Sequence, residues 1–352
     1  MPMTDNAATP ELTDAVPYDP LLCNMPMPLH AVLYPLGFPL QITTNSPAVI
    51  AAARESWGHF PKTFAERPVH LRVVVMGPGN GAPLPAPTHR AWLNLMAVVA
   101  DAQNLAVCDL RQGVAFCSLT EAALADHLYL RYYFLEGPVL SLLEHLYLVS
   151  VHAACVRFAD QGVLLCGDSG AGKSSLAYAC ARRGWTFVAD DNISLIRGRK
   201  ECEGIGSPNR IRFREEGVEL FPELTKYQAV RQVAGDRAIE LATAMAPGIS
   251  TALTSTVEYV VFLNRRDSNP PGLAPFSKQK AFSWLKQTIC YGEEEVRQAQ
   301  VASLHTLMTA EIVELRYSDL STAVDLLESL VLDGARCLLA ESADSLPRAG
   351  NA

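Results

Sequence analysis

Residues 167–175, GDSGAGKSS, combine glycines, a lysine and hydroxyl side chains in a pattern that can bind phosphate. Gly167 to Ser174 fit G-x-x-x-x-G-K-[ST], in which glycines allow a tight turn and successive backbone N–H groups point at one phosphate. A helix beginning near Lys173 adds its positive dipole end, the ammonium reaches the β- and γ-phosphates, and the serine hydroxyl can ligate Mg²⁺. The predicted nucleotide-binding residues are Gly167, Asp168, Ser169, Gly170, Ala171, Gly172, Lys173, Ser174 and Ser175.

Two adjacent carboxylates, Asp190 and Asp191, follow the loop and its helix at the end of a predicted strand. In an open α/β sheet the carboxyl ends of the strands face the ligand crevice. One carboxylate can hold Mg²⁺, directly or through water, and the other can accept a proton from a hydroxyl nucleophile. An aspartate pair at an exposed strand-to-turn junction is also a common structural feature, but the neighbouring loop favours a functional pair.

His152 and several arginines are further candidates. A lone histidine on an apolar strand is more often a packed core residue, and pairing through a turn at 160–162 brings His152 toward the phosphate end only if the hairpin is long and slightly offset. Arg237 could stabilise charge that develops on a transferred group, and Arg265 and Arg266 are rivals for that role.

A run of alternating arginines follows at Arg210, Arg212 and Arg214, which on a strand would share one face. They could clamp phosphate, or form a solvated face paired with Glu215 and Glu216. The solvated face is the favoured interpretation for Arg214.

Alternating strands and helices must position these residues. Strands are predicted at 69–77, 150–158, 163–167, 185–191, 193–198, 257–266 and 310–318, with a hairpin at 105–119. Helices are predicted at 120–137, 138–149, 173–184, 277–290, 293–309 and 321–339. This order predicts an α/β chain with a flexible N-terminus at 1–25, a smaller α+β domain at 26–149, a nucleotide-binding domain at 150–340 and a flexible tail at 341–352.

The composition of the 352 residues narrows the function classes. Hydrophobic residues make up 49%, the formal net charge is -8, and the pI is about 5.5. This acidic balance argues against a nucleic-acid partner and against docking on an anionic membrane. No signal peptide is evident, and the apolar stretch at 138–151 is too short to span a bilayer, so a cytoplasmic protein is expected. Nine cysteines without a C-x-x-C pair favour reduced core residues over a disulfide frame or a zinc site.

The segment from His152 to Asp191 resembles the catalytic domain of bacterial HPr kinase/phosphorylase. That family has a histidine, then a G-D-S-G-x-G-K-S loop, then A-D-D, and here HAAC, GVLLCGDSGAGKSSLA and RRGWTFVADD follow in the same order. Residues 311–331, EIVELRYSDLSTAVDLLESLV, are similar to the tail of the broader HPr-kinase-related serine kinases, which accompany biosynthetic or peptide-modifying clusters. The first 150 residues do not resemble the N-terminal domain of HPr kinase.

The resemblance implies a phosphoenolpyruvate-carboxykinase-like P-loop fold and transfer of the γ-phosphoryl group of ATP to a hydroxyl, often that of serine, with Mg²⁺. It implies that Lys173 neutralises charge in the transition state, that Asp191 accepts the hydroxyl proton and that His152 is an active-site residue. Members of the family often oligomerise, which implies a homo-oligomer here. With Arg237 added, the predicted catalytic residues are Asp191, Lys173, His152 and Arg237, and the predicted metal ligands are Ser174 and Asp190.

Two features depart from the family pattern. Ser175 stands where the family has an acidic residue after the loop serine, and the signature L-E-[IV]-R-G-x-G, which carries a metal-binding glutamate, does not occur. Glu203, Glu215 or Glu216 could substitute for that glutamate. These departures leave the reverse, phosphorylase reaction and HPr as acceptor open.

The sequence therefore predicts a kinase that phosphorylates a hydroxyl of an acceptor protein, peptide or small metabolite, using ATP and Mg²⁺. The N-terminal 150 residues are expected to select the acceptor. The alternative is a nucleotide-binding regulatory or scaffold protein without phosphotransfer. A motor-like ATPase or GTPase is disfavoured, because an arginine-finger pattern and a separate Walker-B strand are not evident.

Overall fold

The structure, a computed structural model, describes residues 25–79, 83–233, 235–265, 270–289 and 291–334. The expected flexible segments lie outside these ranges apart from Met25, and so does Arg266. Strands and helices alternate in a mixed α/β fold, which confirms the predicted class. The helices within these ranges all fall short of the length and apolar character that a membrane crossing requires. The predicted domain limits stay a prediction.

The N-terminal region, residues 25–146, forms a seven-stranded sheet in the order β1-β2-β3-β7-β6-β5-β4. Side chains alternate between buried and exposed along most of its strands, because helices cover one face of the sheet and leave the other face toward solvent, whereas the edge strand at Thr88–Trp92 is exposed throughout. Its strands are β1 (Leu29–Leu33), β2 (Leu40–Thr44), β3 (Val69–Val75), β4 (Thr88–Trp92), β5 (Leu95–Val99), β6 (Leu105–Asp109) and β7 (Val114–Leu119).

The helices of this region are α1 (Pro47–Trp57), α2 (Glu121–Ala125), α3 (His127–Tyr129) and α4 (Gly137–Leu146), with a π-helical segment at Leu130–Glu136. The continuous helix predicted at 120–137 is therefore wrong. Asp126 leaves the helical backbone conformation, and its carboxylate accepts a hydrogen bond from the Tyr129 amide at 3.0 Å. This local cap competes with helix continuation, as short acidic side chains often do.

The C-terminal region, from residue 148 on, contains a second seven-stranded sheet in the order β17-β11-β9-β10-β19-β21-β20. Two smaller sheets have the orders β18-β13-β12-β8 and β14-β16-β15. The strands are β8 (Leu148–Val151), β9 (Ala153–Phe158), β10 (Gln161–Cys166), β11 (Thr186–Ala189), β12 (Ile193–Ile196), β13 (Glu203–Ile205), β14 (Arg210–Phe213), β15 (Ala229–Arg231), β16 (Arg237–Ala242), β17 (Ser250–Thr251), β18 (Thr254–Thr256), β19 (Tyr259–Arg265), β20 (Gly272–Pro275) and β21 (Glu311–Tyr317).

Helices cover both faces of the second large sheet. The α-helices of this region are α5 (Lys173–Arg182), α6 (Gly217–Leu220), α7 (Lys278–Leu285), α8 (Glu294–Leu307) and α9 (Leu320–Asp333). One apolar core joins α5 and α9 to the sheet, and a second joins α7 and α8 to its other face. Cys155, Cys166 and Cys180 are buried in these cores, as expected for small apolar side chains.

The strand predicted at 150–158 is two strands in two different sheets. β8 pairs with β12, whereas β9 pairs with β10 and β11, and His152 lies at the break. The hairpin turn is also tighter than predicted, because Ala159 and Asp160 alone form it, with φ angles of 47° and 62°. Ala153 and Cys166 are therefore partners, and His152 and Gly167 lie at the same end without any offset.

Most of the predicted site residues lie at one edge of the second large sheet. β10 and β11 both run antiparallel to β9, so they run parallel to each other, and β19 and β21 continue the parallel set. Their carboxyl ends meet at one edge. The glycine loop, the aspartate pair, Arg265 and Tyr317 follow these four ends, and His152 precedes the strand between the first two.

Burial of Trp185 provides a test of this packing. Its side chain is fully buried and stacks on Phe158 with the ring centroids 4.8 Å apart. We expect Trp185→Ala to lower the free energy of unfolding by about 3–5 kcal/mol, because it removes a large core side chain. Trp92, which is 72% exposed on the edge strand β4, is the matched control. Urea denaturation should show a change below about 1 kcal/mol for Trp92→Ala, and equal losses in the two variants would contradict the packing.

Candidate active site

The glycine-rich loop leaves β10 and enters α5 at Lys173. Gly170 and Gly172 have φ angles of 87° and 97°, a region that side chains other than glycine rarely adopt. The buried Tyr317 hydroxyl donates a hydrogen bond to the Ala171 carbonyl at 3.2 Å, and a Cβ on Gly172 would lie 2.9 Å from the same hydroxyl. Glycine and Tyr317 together fix the path of the loop.

The Lys173 side chain is buried beneath the loop. Its Nζ donates to the carbonyl oxygens of Gly167 and Asp168, at 2.8 and 3.3 Å, and lies 3.0 Å from Nε2 of His152. Desolvation lowers the pKa of Lys173, and the negative charge of Asp191 is the largest influence that opposes this shift. The ammonium thus remains available to neutralise phosphate only because carbonyls and carboxylates surround it.

His152 connects this lysine to the second predicted carboxylate. Its Nδ1 lies 3.4 Å from Oδ1 of Asp191, on the opposite side of the ring from Lys173. Since the ammonium can only donate, Nε2 accepts and Nδ1 carries the proton that faces Asp191. The Asp191 side chain is 63% exposed and lines the cleft, so a group entering from solvent can reach it.

Asp190 points into the protein instead. Its Oδ2 accepts a hydrogen bond from the Arg212 amide at 2.7 Å, whereas its buried Oδ1 has no hydrogen-bond partner among the described residues. Burial raises the pKa of Asp190 to about 6, although the Ser174 side chain and the Arg212 amide favour the charged form. A buried carboxylate oxygen without a partner, beside a loop serine, suits a cation ligand.

The alternating arginines line the same cleft as the loop. On β14, Ile211 and Phe213 face the core, so the arginines between them face outward. Arg210 and Arg212 share Glu240, with contacts of 3.0 and 3.1 Å.

Arg214 departs from its expected solvated pairing. Its Nη2 donates to Oγ of Ser169 at 3.1 Å, and its guanidinium lies within 3.5 Å of the position of a Cβ on Gly170. The structure therefore places an arginine directly against the phosphate-type loop.

Arg237 does not line the cleft beside the loop. Its Nε donates to Oε1 of Glu215 at 3.0 Å and its Nη2 donates to the Ala229 carbonyl at 2.6 Å. Arg214 and Arg265, the alternative to Arg237 in the sequence analysis, are among the described residues that line the cleft, whereas Arg237 is not.

The three glutamates proposed to complete a metal site are also separated. Glu216 lines the cleft, whereas Glu215 pairs with Arg237 and Glu203 lies 3.6 Å from Arg199. Glu216 is therefore the one of the three that lines the cleft.

The cleft has a volume of about 870 Å³, and the N-terminal region supplies part of its wall. Arg131, on the π-helical segment, donates to Ser56 Oγ and Glu136 Oε1 at 2.9 Å each and also pairs with Glu55. Sequence reasoning missed these residues. The available signal was an arginine and a glutamate inside the otherwise apolar and aromatic run LYLRYYFLEG. The cleft residues from this region are Glu55, His127, Leu128, Arg131, Tyr132 and Glu136.

One part of the chain matches a known protein family. Residues 146–213 match the HPr Serine kinase C-terminal domain, a span that begins before β8 and ends with β14. The chain is therefore related to HPr kinases through this span, which contains the histidine, the loop and the aspartate pair, and the match indicates a kinase-type function. Among solved structures, the Hpr(Ser) kinase/phosphatase from Coxiella burnetii is similar at 17% identity, over 56% of this chain and 94% of that chain, with a TM-score of 0.29.

The buried state of Asp190 predicts a pH-dependent stability. The pKa of Asp190 in the folded protein is about 6, above the ordinary 3.8. The protonated carboxyl therefore makes its full contribution to the free energy of unfolding below pH 4, and this contribution is lost as the pH rises through 6. Without divalent cations, we expect Asp190→Asn to be more stable than the wild type at pH 8, by at most about 3 kcal/mol, and similar to it at pH 4.

Urea denaturation at the two pH values measures this difference. Asp191→Asn is the matched control, because its exposed side chain carries no comparable cost of desolvation. An Asp190→Asn gain that stays constant between pH 4 and pH 8 would show that the carboxylate is not held as described.

Proposed function

We propose that the protein is a kinase that transfers the γ-phosphoryl group of ATP, with Mg²⁺, to a hydroxyl, most often that of a serine, on a protein, peptide or small metabolite. The observation that carries the proposal is the contact series Lys173–His152–Asp191, which joins the phosphate-type loop to an exposed carboxylate. Phosphoryl transfer needs charge neutralisation at the phosphate and a group that accepts the hydroxyl proton. The series supplies both at one edge of the sheet.

The loop side of the cleft suits nucleotide phosphates. Backbone N–H groups of residues 167–175, the N-terminus of α5 and the Lys173 ammonium are positive or hydrogen-bond donating. Arg214 adds a guanidinium beside Ser169. Ser174 and Asp190 would hold Mg²⁺, which would neutralise the charge that develops during phosphoryl transfer. The unpartnered Oδ1 of Asp190 supports this assignment, because a cation would offset the cost of burying that carboxylate.

On the acceptor side, Asp191 takes the proton of the attacking hydroxyl. The hydroxyl oxygen bonds to the γ-phosphorus, the bond between that phosphorus and its bridging oxygen breaks, and ADP leaves. His152 positions Asp191 through Nδ1 and receives the Lys173 ammonium on Nε2, so it ties the position of the base to the position of the phosphate ligand. His152 is thus a positioning residue in this proposal.

The proposal extends to the organisation of the chain. Residues 150–340 form the kinase domain, and residues 26–149 form the domain that selects the acceptor, since their side chains line the cleft beside Asp191. A cytoplasmic location fits the need for ATP, and a homo-oligomer fits the resemblance to HPr kinases. The alternative role of a regulatory nucleotide-binding protein predicts nucleotide binding without a phosphorylated product.

Loss of the base tests the reaction directly. We expect Asp191→Asn to lower the transfer of phosphate from labelled ATP by about 10²-fold or more, because a general base contributes that much, and to keep nucleotide affinity within a few-fold. Lys173→Ala should lose nucleotide binding itself. Transfer at the wild-type rate by Asp191→Asn would exclude this residue as the base. Tight ATP binding by the wild type without any phosphorylated acceptor would favour the regulatory role.

A comparison of two arginines tests the phosphate side. We expect Arg214→Ala to weaken ATP binding about tenfold or more, because it removes a charged donor beside the loop. Arg237→Ala removes an exposed pair with Glu215 and should change the affinity less than twofold. Calorimetric titration with a nonhydrolysable ATP analogue gives both values. A larger loss in Arg237→Ala would restore that residue to the phosphate site.

A further inference from the structure

A second pocket, of about 260 Å³, adjoins the cleft. It opens at the proposed base, because the two spaces share the aspartate pair as a common wall. The residues that line both are Arg131, Glu136, Asp190, Asp191, Arg210 and Arg212. A hydroxyl that reaches Asp191 from this side would meet a phosphate held on the glycine loop.

The two regions of the chain enclose this second pocket. Trp57, Phe60 and Leu140 of the N-terminal region form an apolar side. Asn192, Asn209 and Arg210 of the C-terminal region form a polar side. A molecule in the pocket therefore contacts both regions, with an apolar surface opposite a row of polar groups.

The polar side offers hydrogen-bond donors without partners. Oδ1 of Asn209 accepts from Ser207 at 2.6 Å and Oδ1 of Asn192 accepts from Ser150 at 2.8 Å, so both side-chain NH₂ groups point elsewhere. Among the described residues neither NH₂ group has a hydrogen-bond acceptor, and Arg210 bonds Glu240 through Nη1 alone. A ligand that matches this side must bring acceptor oxygens.

The charged groups of the pocket include one guanidinium, that of Arg210, that is only partly paired. Arg210 and Arg131 line the pocket beside His59, and desolvation followed by the charges of these two arginines lowers the pKa of His59. Carboxylates lie nearby as well, because Glu136, Asp190 and Asp191 line the same pocket, and Arg131 pairs with Glu136. A carboxylate in the pocket would therefore bind the remaining N–H groups of Arg210, which pairs with Glu240 through Nη1 alone, while Asp191 requires a hydroxyl.

The volume limits the ligand to a small molecule. Pockets for drug-sized ligands have volumes of roughly 300–1,000 Å³, and this one is smaller. Its size suits a molecule of a few carbon atoms or a single terminal residue.

We propose that the second pocket binds a small hydroxy acid, a molecule with a hydroxyl a few bonds from a carboxylate, and that this is the acceptor class of the enzyme. The inference rests on the proposed kinase function. The carboxylate lies against Asn209 and Arg210, and the hydroxyl faces Asp191. The hydroxyl proton passes to Asp191, the oxygen bonds to the γ-phosphorus of ATP, and ADP leaves, which gives a phosphate ester of the hydroxy acid.

Assays with different acceptors test whether a carboxylate is required and whether it belongs to a free acid or to a chain terminus. With ATP and Mg²⁺, we expect L-serine or D-glycerate to be phosphorylated at least tenfold faster than serinamide or glycerol, which lack the carboxylate. A dipeptide that ends in serine tests a chain terminus against a free acid, and faster transfer to either supports the shared chemistry. Equal or faster transfer to a peptide with an internal serine and both ends blocked would overturn the proposal.

A single variant tests the carboxylate contact. Asn209→Asp keeps an oxygen for Ser207 but replaces the free NH₂ group by a negative charge. We expect its KM for the hydroxy acid to rise about tenfold or more, with an unchanged KM for ATP, and Arg210→Gln to act in the same direction. Arg214→Ala, on the loop, should show the opposite split. Unchanged KM for the hydroxy acid in both Asn209→Asp and Arg210→Gln would overturn the assignment.

Binding distinguishes this proposal from the kinase assignment. Calorimetric titration of L-serine and D-glycerate into the wild type, with a nonhydrolysable ATP analogue present, should show a site that Asn209→Asp weakens. Such binding without phosphate transfer would support the assignment of the pocket to a hydroxy acid and would contradict the proposed kinase function. Phosphate transfer to another acceptor, without hydroxy-acid binding, would keep the kinase function and remove the pocket assignment.

Discussion

The site depends on how a buried ammonium is kept charged. Lys173 lies beneath the loop, where desolvation favours the neutral amine, and two carbonyl oxygens, an imidazole and nearby carboxylates oppose that tendency. Each of these groups comes from a different place in the fold: the loop, the break before β9 and the turn after β11. The parallel edge of the second large sheet is what brings them to one ammonium.

The two aspartates occupy contrasting environments although they are neighbours in the sequence. Asp190 is buried with one oxygen unpartnered, whereas Asp191 is exposed beside His152. Such a difference in environment lets adjacent carboxylates serve as a cation ligand and as a proton acceptor. Burying the Asp190 carboxylate lowers the free energy of unfolding. Such a loss of stability is common where charged groups are held ready for ligands.

Local patterns in the sequence were sufficient for the loop, its helix and the strands that carry the aspartates. The strands and helices predicted between residues 163 and 198 and between 257 and 334 lie within a few residues of the observed elements, because hydrophobic periodicity and turn residues specify them locally. Residues 335–339 of the last predicted helix lie outside the described residues. The short elements β13 to β18, α6 and β20 were not predicted. The break at His152 and the place of Arg214 depend on which sheets the flanking strands join, and the roles of Arg131 and Trp57 depend on contacts between distant parts of the chain. A single sequence does not contain that pairing information in a local form.

The chain passes from one sheet to another between β8 and β9. β8 belongs to the sheet that packs against the N-terminal region, and β9 belongs to the sheet that carries the loop, with His152 as the link between them. Any sliding of one sheet past the other changes the distances from the imidazole to both of its neighbours. A small molecule bound between the two regions, as proposed above, would lie against Asp191 and so beside the imidazole that contacts Lys173, which would couple occupancy of the pocket to the geometry of the loop lysine.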